Sequence, residues 1–336
     1  MKQVTLNKNM ILLPECWNDL NADQYIYTVH SLLQLQEGKI SLEEFRRKLL
    51  IYYTSYKSSG KKYIKQGVKI RYILHLVLAW LKYRIWQLFK NINQNGFKSI
   101  MKSVRNRYKP EVQEENTREI IALNLIKLSE MITFPLVEKA INMQFTSNPL
   151  PMLKKIGVGK KFDIGVVPIT NFTAGEFADA MDIAIGWRQT KSVDLLDILV
   201  AIIYPSDTSH TLEKAKFHAE KIKAFCSYAQ KYAVYIWFSS IAHYFSLHPY
   251  YSLLYAGKKE GVEEHIHLGT NEGIIHLSER GYGSHSEMRN KNLIEFMDIQ
   301  LSDLKRNICN AIAIGTKPSD IADKTGLTVS QINMLT

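Results

Sequence analysis

Four histidines offer the chain's densest candidate chemistry. His265 and His267 alternate as on a strand, so both would point the same way, and His276 could join them across a turn, with Glu263, Glu264 and His285 close in sequence. Imidazole and carboxylate are zinc ligands. The group holds no cysteine and no helical His-x-x-x-His pair, so hydrogen-bonded or solvated histidines are expected rather than a metal site. Gly157-Val158-Gly159-Lys160-Lys161 has the glycine and lysine content of a phosphate loop. A Walker loop needs four residues between its glycines and a hydroxyl after the lysine to reach magnesium. Here one residue separates the glycines and Lys161 replaces the hydroxyl, so a plain turn is expected. No Gly-x-Ser-x-Gly elbow occurs. Asp179 with Asp182, and Asp194 with Asp197, stand three apart on helix faces and read as surface charge. With no catalytic, cofactor or metal set, a non-enzymatic protein is expected.

Charge is the stronger signal. Residues 45–110 contain no aspartate or glutamate, yet carry 17 of the lysines and arginines, while the whole chain has a formal net charge of +11. Everything outside this block therefore sums to a negative charge, and the basicity is local. Such a block is an electrostatic footprint for an anionic partner: nucleic acid, an anionic membrane surface or an acidic protein. Lys61, Lys62, Lys65, Lys69, Arg71, Arg84, Lys102, Arg105 and Arg107 are the candidate anionic-partner residues. Tyr72, Trp80, Tyr83, Trp86 and Phe89 interleave with the basic residues of a helix expected over 68–92, which suits a membrane surface. The same charges suit phosphates through counterion release.

The segment from Pro318 to Asn333 has helix-turn-helix rhythm. Ala322 is small where two helices would cross, Gly326 stands where the turn needs a left-handed residue, and Leu327 and Ile332 would plug the core. The second helix, from Thr328 on, has no lysine or arginine, whereas DNA readers place basic residues there and on flanking phosphates. A structural helical hairpin is the first expectation and DNA reading the alternative.

These residues must be carried by a mainly α scaffold. Capping signals recur: Asn21, Ser41-Leu42-Glu43-Glu44 and Thr173-Ala174-Gly175-Glu176 each open an amphipathic run. Helices are expected from Asn21 to Gly38, after Ser41, from Asn116 to about Pro135, after Thr173, over 193–203, and as one long element from Leu212 towards Phe245. Residues 146–171 read as an ordered connector with a short strand near 165–167. A small β hairpin is expected at 265–277, with Gly269 to Gly273 as its turn. The expected organisation is a basic N-terminal helical region (1–110), a helical core domain (111–300) containing that hairpin, and a C-terminal helical hairpin (301–336).

Apolar residues make up 46% of the chain, enough for a buried core. Tyr232 to Gly257 lacks Lys, Arg, Asp and Glu, but it holds His243, His248, Pro249 and repeated serines, which fits a buried helix better than a membrane span. Mean hydropathy is −0.16. Cys16, Cys226 and Cys309 are widely spaced and form no pair motif, so free thiols in a reducing compartment are expected. The opening residues lack a charged, apolar and cleavable succession, so secretion by a signal peptide is not expected.

Three segments carry a family resemblance. Leu13-Pro14-Glu15-Cys16-Trp17-Asn18-Asp19-Leu20-Asn21-Ala22-Asp23-Gln24 resembles an opening of the type Leu-Pro-x-x-Trp-x-x-Leu-Thr-x-x-Gln. Phe172 to Ala180, followed by Leu195 to Tyr204 and Pro205, resembles a helix pair, and Gly326 to Thr336 is similar to a short helical terminus. Together they resemble tail-assembly-chaperone-like proteins encoded near the tail genes of tailed bacteriophages and prophages. The basic block is a departure from that pattern. The resemblance implies a bacteriophage structural or virion-assembly protein in the bacterial cytoplasm or the virion, working by protein–protein interaction with other phage proteins, as an oligomer or part of an assembly. The charge supports an alternative: a nucleic-acid-binding protein using the basic block and the terminal helix-turn-helix.

Overall fold

A computed structural model of the chain describes residues 1–6, 9–55, 127–138, 140–165, 168–207, 210–255 and 269–336. The chain divides into two units, one of Met1, Pro14–Glu37 and Thr133–Thr336, the other of Lys2–Leu13 and Gly38–Ile132.

In the smaller unit, β1 (Lys2–Leu6) pairs antiparallel with β2 (Asn9–Leu13), from Lys2↔Leu13 to Leu6↔Asn9. Helix α2 (Leu42–Ser55) packs against β2. Its first turn is fixed by Ser41, whose Oγ accepts from the Glu44 N–H at 3.1 Å. Phe45, Leu49 and Tyr53 recur every fourth residue and are buried, so one face of the helix is apolar. Residues 127–130 are helical, and Leu128 and Ile132 are buried. The helix expected from Asn116 to about Pro135 ends at residue 130, with residues 131–135 in turns and coil, while its part before residue 127 and the helix expected over 68–92 lie outside the described residues.

The larger unit begins at a buried tryptophan. Trp17 sits in a short 3₁₀ turn (Trp17–Asp19), stacks on Phe145 at 5.1 Å, meets Tyr25 and Phe134 edge-on, and donates its indole N–H to Asn142 O at 2.8 Å. Helix α1 (Ala22–Gln36) starts at the expected Asn21 cap, which the structure completes as a capping box with Gln24. It lies along a distant helix, α6 (Tyr228–Leu247), with the Tyr25 hydroxyl donating to Ala233 O at 2.8 Å.

Between them the chain makes short antiparallel hairpins: β3 (Leu136–Val137) with β4 (Ala140–Ile141), β5 (Met152–Leu153) with β6 (Gly157–Val158), and β7 (Phe162–Asp163) with β8 (Ile169–Thr170). Four helices follow. They are α3 (Ala174–Thr190), α4 (Val193–Ile203), α5 (Leu212–Phe225) and α6. Helix α4 packs against α3, α5 and α6 at once. Its sequence, VDLLDILVAII, accordingly has little polar character, and Leu196, Leu199, Val200 and Ile202 are fully enclosed. An aromatic cluster of Phe172, Phe177, Trp237, Phe238 and Phe245 completes this core. Beyond a 3₁₀ turn (Tyr251–Tyr255) come α7 (Gly269–Glu279), α8 (His285–Asn290), α9 (Leu293–Ala313), α10 (Pro318–Thr325) and α11 (Val329–Leu335).

The architecture is mainly α with small antiparallel hairpins and a C-terminal helix-turn-helix, as the sequence implies. Three expectations need correction. The hairpin is not at 265–277: Gly269–Glu279 is helix α7, and residues 265–268 lie outside the described residues. Ile274 and Leu277 are three apart and both buried, packing with Met288 and Phe296, which is a helical period. Gly273 lets α7 approach α9 closely; a Cβ there would meet the Gln300 side chain at 1.6 Å. The long helix from Leu212 is two helices, because Ser227 forms a capping box with Gln230 and starts α6 afresh. The boundary expected at 300/301 falls inside continuous α9, onto whose second half α10 and α11 pack; the boundary at 110/111 lies outside the described residues. No helix among the described residues is long and apolar enough to cross a membrane.

Candidate functional site

The segment once resembling a phosphate loop is built into the fold. Gly159 faces the ring of Tyr204; a Cβ at 159 would lie 2.6 Å from Tyr204 Cε1 and 2.9 Å from Asn148 Nδ2. Lys160 donates its backbone N–H to Ile203 O and places Nζ 2.7 Å from Glu176 Oε1, with both side chains largely buried. Glu176 is the capping-box residue of α3, so the pair locks the hairpins to that helix start. The glycine therefore serves close packing, and Lys160 is already engaged by a carboxylate.

What this segment presents to solvent is apolar. In the β5–β6 hairpin, Leu153 and Ile156 turn inward, while the cross-strand pair Met152 and Val158 turns outward at 65% and 66% exposure. A half-buried hairpin normally places polar residues on its outer face. The turn carries Lys154 and Lys155. Lys155 Nζ sits 4.8 Å above the ring of Phe225, itself half exposed at the end of α5. Val137, Ile164 and Ile169, in the hairpins before and after β5–β6 in sequence, are also exposed. An apolar surface edged by lysines is the pattern of a protein-contact site.

The C-terminal helix-turn-helix forms as expected. Gly326 adopts φ +69°, the left-handed conformation that ends α10, and Thr328 caps α11 in a box with Gln331. Leu327, Ile332 and Leu335 pack with Ile308 and Ile321. Val329, Ser330, Asn333 and Met334 face solvent, so the exposed face of α11 is uncharged.

The aspartates read as surface charge divide. Asp182 and Asp194 are exposed, but Asp179 and Asp197 are buried. Asp179 Oδ2 lies 2.8 Å from His210 Nε2 and accepts from Arg289 Nη2 at 2.7 Å. Arg289 continues to Asn271, and Asn271 to Asp182. Burial pushes the Asp179 carboxyl up, but hydrogen bonds from His210 and Arg289 outweigh this and hold it below the usual carboxylate range. These are residue types of acid–base chemistry, yet the adjoining cavity, lined by His210 and His218, is about 20 Å³, room for a water and not for an organic substrate. The network ties α3, α7, α8 and the approach to α5 together. Asp197 lies 2.5 Å from Lys231 Nζ, with side chains 2% and 6% exposed. Nearby Cys226 is a buried thiol whose pKa burial pushes up, so it is not an activated nucleophile.

Lys61, Lys62, Lys65, Lys69, Arg71, Arg84, Lys102, Arg105 and Arg107 all lie outside the described residues, as do His265 and His267. His276 faces Asp303, and His285 begins α8. Among the described residues no cluster of three His, Cys, Asp or Glu side chains is arranged to hold a metal ion. The outward Met152–Val158 pair escaped sequence reading because its two residues are joined only by the strand register. Compared with family models, curated proteins and solved structures, the chain matches none.

Proposed function

We propose that this chain is a non-enzymatic assembly protein that binds other proteins, of the phage tail-assembly kind its sequence resembles, and that it works inside the bacterial cell or in the virion. The observation that supports this reading is the outward Met152–Val158 pair, adjoined by Phe225 and edged by Lys154 and Lys155. The apolar centre excludes water on docking, and the lysine edge favours an acidic protein surface over a basic one. The test is capture of tail-tube and tape-measure proteins by the purified chain. Met152→Glu with Val158→Glu should reduce capture at least tenfold while circular dichroism stays native. Undiminished capture by the double variant would remove the surface from the proposal.

A second reading, nucleic-acid binding, is favoured by the helix-turn-helix geometry, with Ser330 and Asn333 on the exposed face of α11 and the basic block supplying phosphate contacts. Binding to duplex and single-stranded DNA across a salt series separates the two. Sub-micromolar affinity falling steeply with salt supports nucleic acid, and no binding at low salt leaves the protein partner.

A further inference from the structure

One buried carboxylate gathers more positive charge than it needs. Asp303, on α9, is 3% exposed. Its Oδ1 accepts from Arg280 Nη1 at 3.0 Å, the Tyr282 hydroxyl at 2.9 Å and Arg306 Nη2 at 2.9 Å. Its Oδ2 accepts from Asn307 Nδ2 at 2.9 Å and from Arg280 Nη1 at 3.2 Å, and lies 3.3 Å from His276 Nε2. A single guanidinium would balance the carboxylate, and the tyrosine and asparagine satisfy further lone pairs. The second guanidinium is surplus charge, and the imidazole is a further polar neighbour.

The two guanidiniums and the imidazole face solvent. The side chains of His276, Arg280 and Arg306 are 53%, 40% and 57% exposed. Each arginine is held through one terminal nitrogen, Nη1 of Arg280 and Nη2 of Arg306, which leaves the rest of each donor fork without a partner among the described residues. Arg306 is further fixed by lying 5.4 Å over the Tyr282 ring. These cations are therefore ordered before any ligand arrives, which lowers the entropy lost on binding. Tyr282 also lines an open hollow of about 580 Å³ with Gly283, Ser286, Glu287, Lys291 and Glu295 among others, whereas His276, Arg280 and Arg306 stand outside its lining. The hollow's carboxylates are engaged, Glu287 by Ser284 and Glu295 by Lys291.

We propose that Arg280, Arg306 and His276 form a binding site for a phosphate group, with Asp303 as the positioning residue that aims the two guanidiniums. Phosphate suits it better than carboxylate, because a phosphate presents three oxygens to two forks and an imidazole. The phosphate comes from a free small ester or from a nucleic-acid backbone. The site is independent of the protein-contact surface proposed above, and either can fail without the other.

Isothermal titration of the full chain with inorganic phosphate and with a twelve-residue oligothymidylate tests it, alongside Arg306→Gln and His276→Gln. Both positions are more than half exposed, so ligand-free melting temperatures should stay within a few degrees of the parent. At least one ligand should bind the parent and bind Arg306→Gln tenfold more weakly or worse. Saturable phosphate binding lost in the variant identifies a free phosphate, and loss confined to the oligonucleotide identifies a backbone. No binding of either ligand to the parent, or equal binding by parent and variants, overturns the site and leaves Asp303 as a structural tie only.

Discussion

The buried pair Asp197–Lys231 makes a sharp thermodynamic prediction. The two side chains are almost wholly enclosed, one on α4 and one on α6, with Nζ and Oδ1 2.5 Å apart. The contact is close but poorly aligned for a hydrogen bond, and neither carboxylate oxygen has a hydrogen-bond donor among the described residues. Their mutual attraction is thus the main offset to a large desolvation cost. Lys231→Met strands a buried carboxylate, and Asp197→Leu strands a buried ammonium; each should cost about 3–5 kcal/mol. At about 3 °C per kcal/mol for a unit of this size, the melting temperature should fall by roughly 10 °C. The double variant restores an apolar interface of similar volume and should be neutral or stabilised by about 1–4 kcal/mol. Urea and thermal unfolding of the four proteins of this cycle read the effect. Single variants within about 1 kcal/mol of the parent, or a double variant no better than the singles, would refute the claim that desolvation outweighs attraction here.

Other substitutions test other layers of the structure. Gly159→Ala should cost about 1–3 kcal/mol in urea unfolding, because the new methyl meets the Tyr204 ring at 2.6 Å. Thr173→Ala removes the acceptor for the Glu176 N–H and should cost about 1 kcal/mol. Gly326→Ala forces an L side chain to φ +69° and should cost about 1 kcal/mol, with the loss confined to the C-terminal helices in hydrogen exchange. Asp303 experiences burial that pushes its carboxyl up, but hydrogen bonds from Tyr282 and Arg280 and the charge of Arg280 outweigh it, so its pKa is depressed on folding, as is that of Asp179. The stability from a depressed carboxylate is present above its unfolded pKa, about 3.9, and is lost as pH falls through the folded value. Asp303→Asn should therefore lose about 2 kcal/mol at pH 7, and the gap to the parent should close as pH falls below about 4. A gap that stays constant from pH 7 to pH 3 would contradict that assignment.

Local signals were readable because the responsible atoms are close in sequence. The cap at Asn21, the box at Thr173 and the left-handed Gly326 each depend on residues within one turn. The box at Ser227 obeys the same rule, but helix-forming sequence continues on both sides of it, charged before and apolar after, and two helices read as one. Long-range partners defeated the rest. Gly273 reads as a turn until Gln300 and Phe296 are known to lie against it. Asp197 reads as surface charge until Lys231 meets it across the core, and Asp179 until Arg289 does. Asp303 lacks any sequence signature, since its donors come from α7, the following turn and its own helix.

The joining of α1 to α6 has a consequence for the order of events during synthesis. Tyr25 bonds a carbonyl 208 residues downstream, and Trp17 one 125 residues downstream. At about 5–20 residues per second, α1 leaves the ribosome roughly 10–40 s before its packing surface exists. Through that interval Tyr25, Val29 and Leu32, all fully enclosed at the end, have no native cover from α6. Helix α1 is thus made early and secured late, so a nascent chain stalled before residue 228 should be the species most dependent on holdase protection.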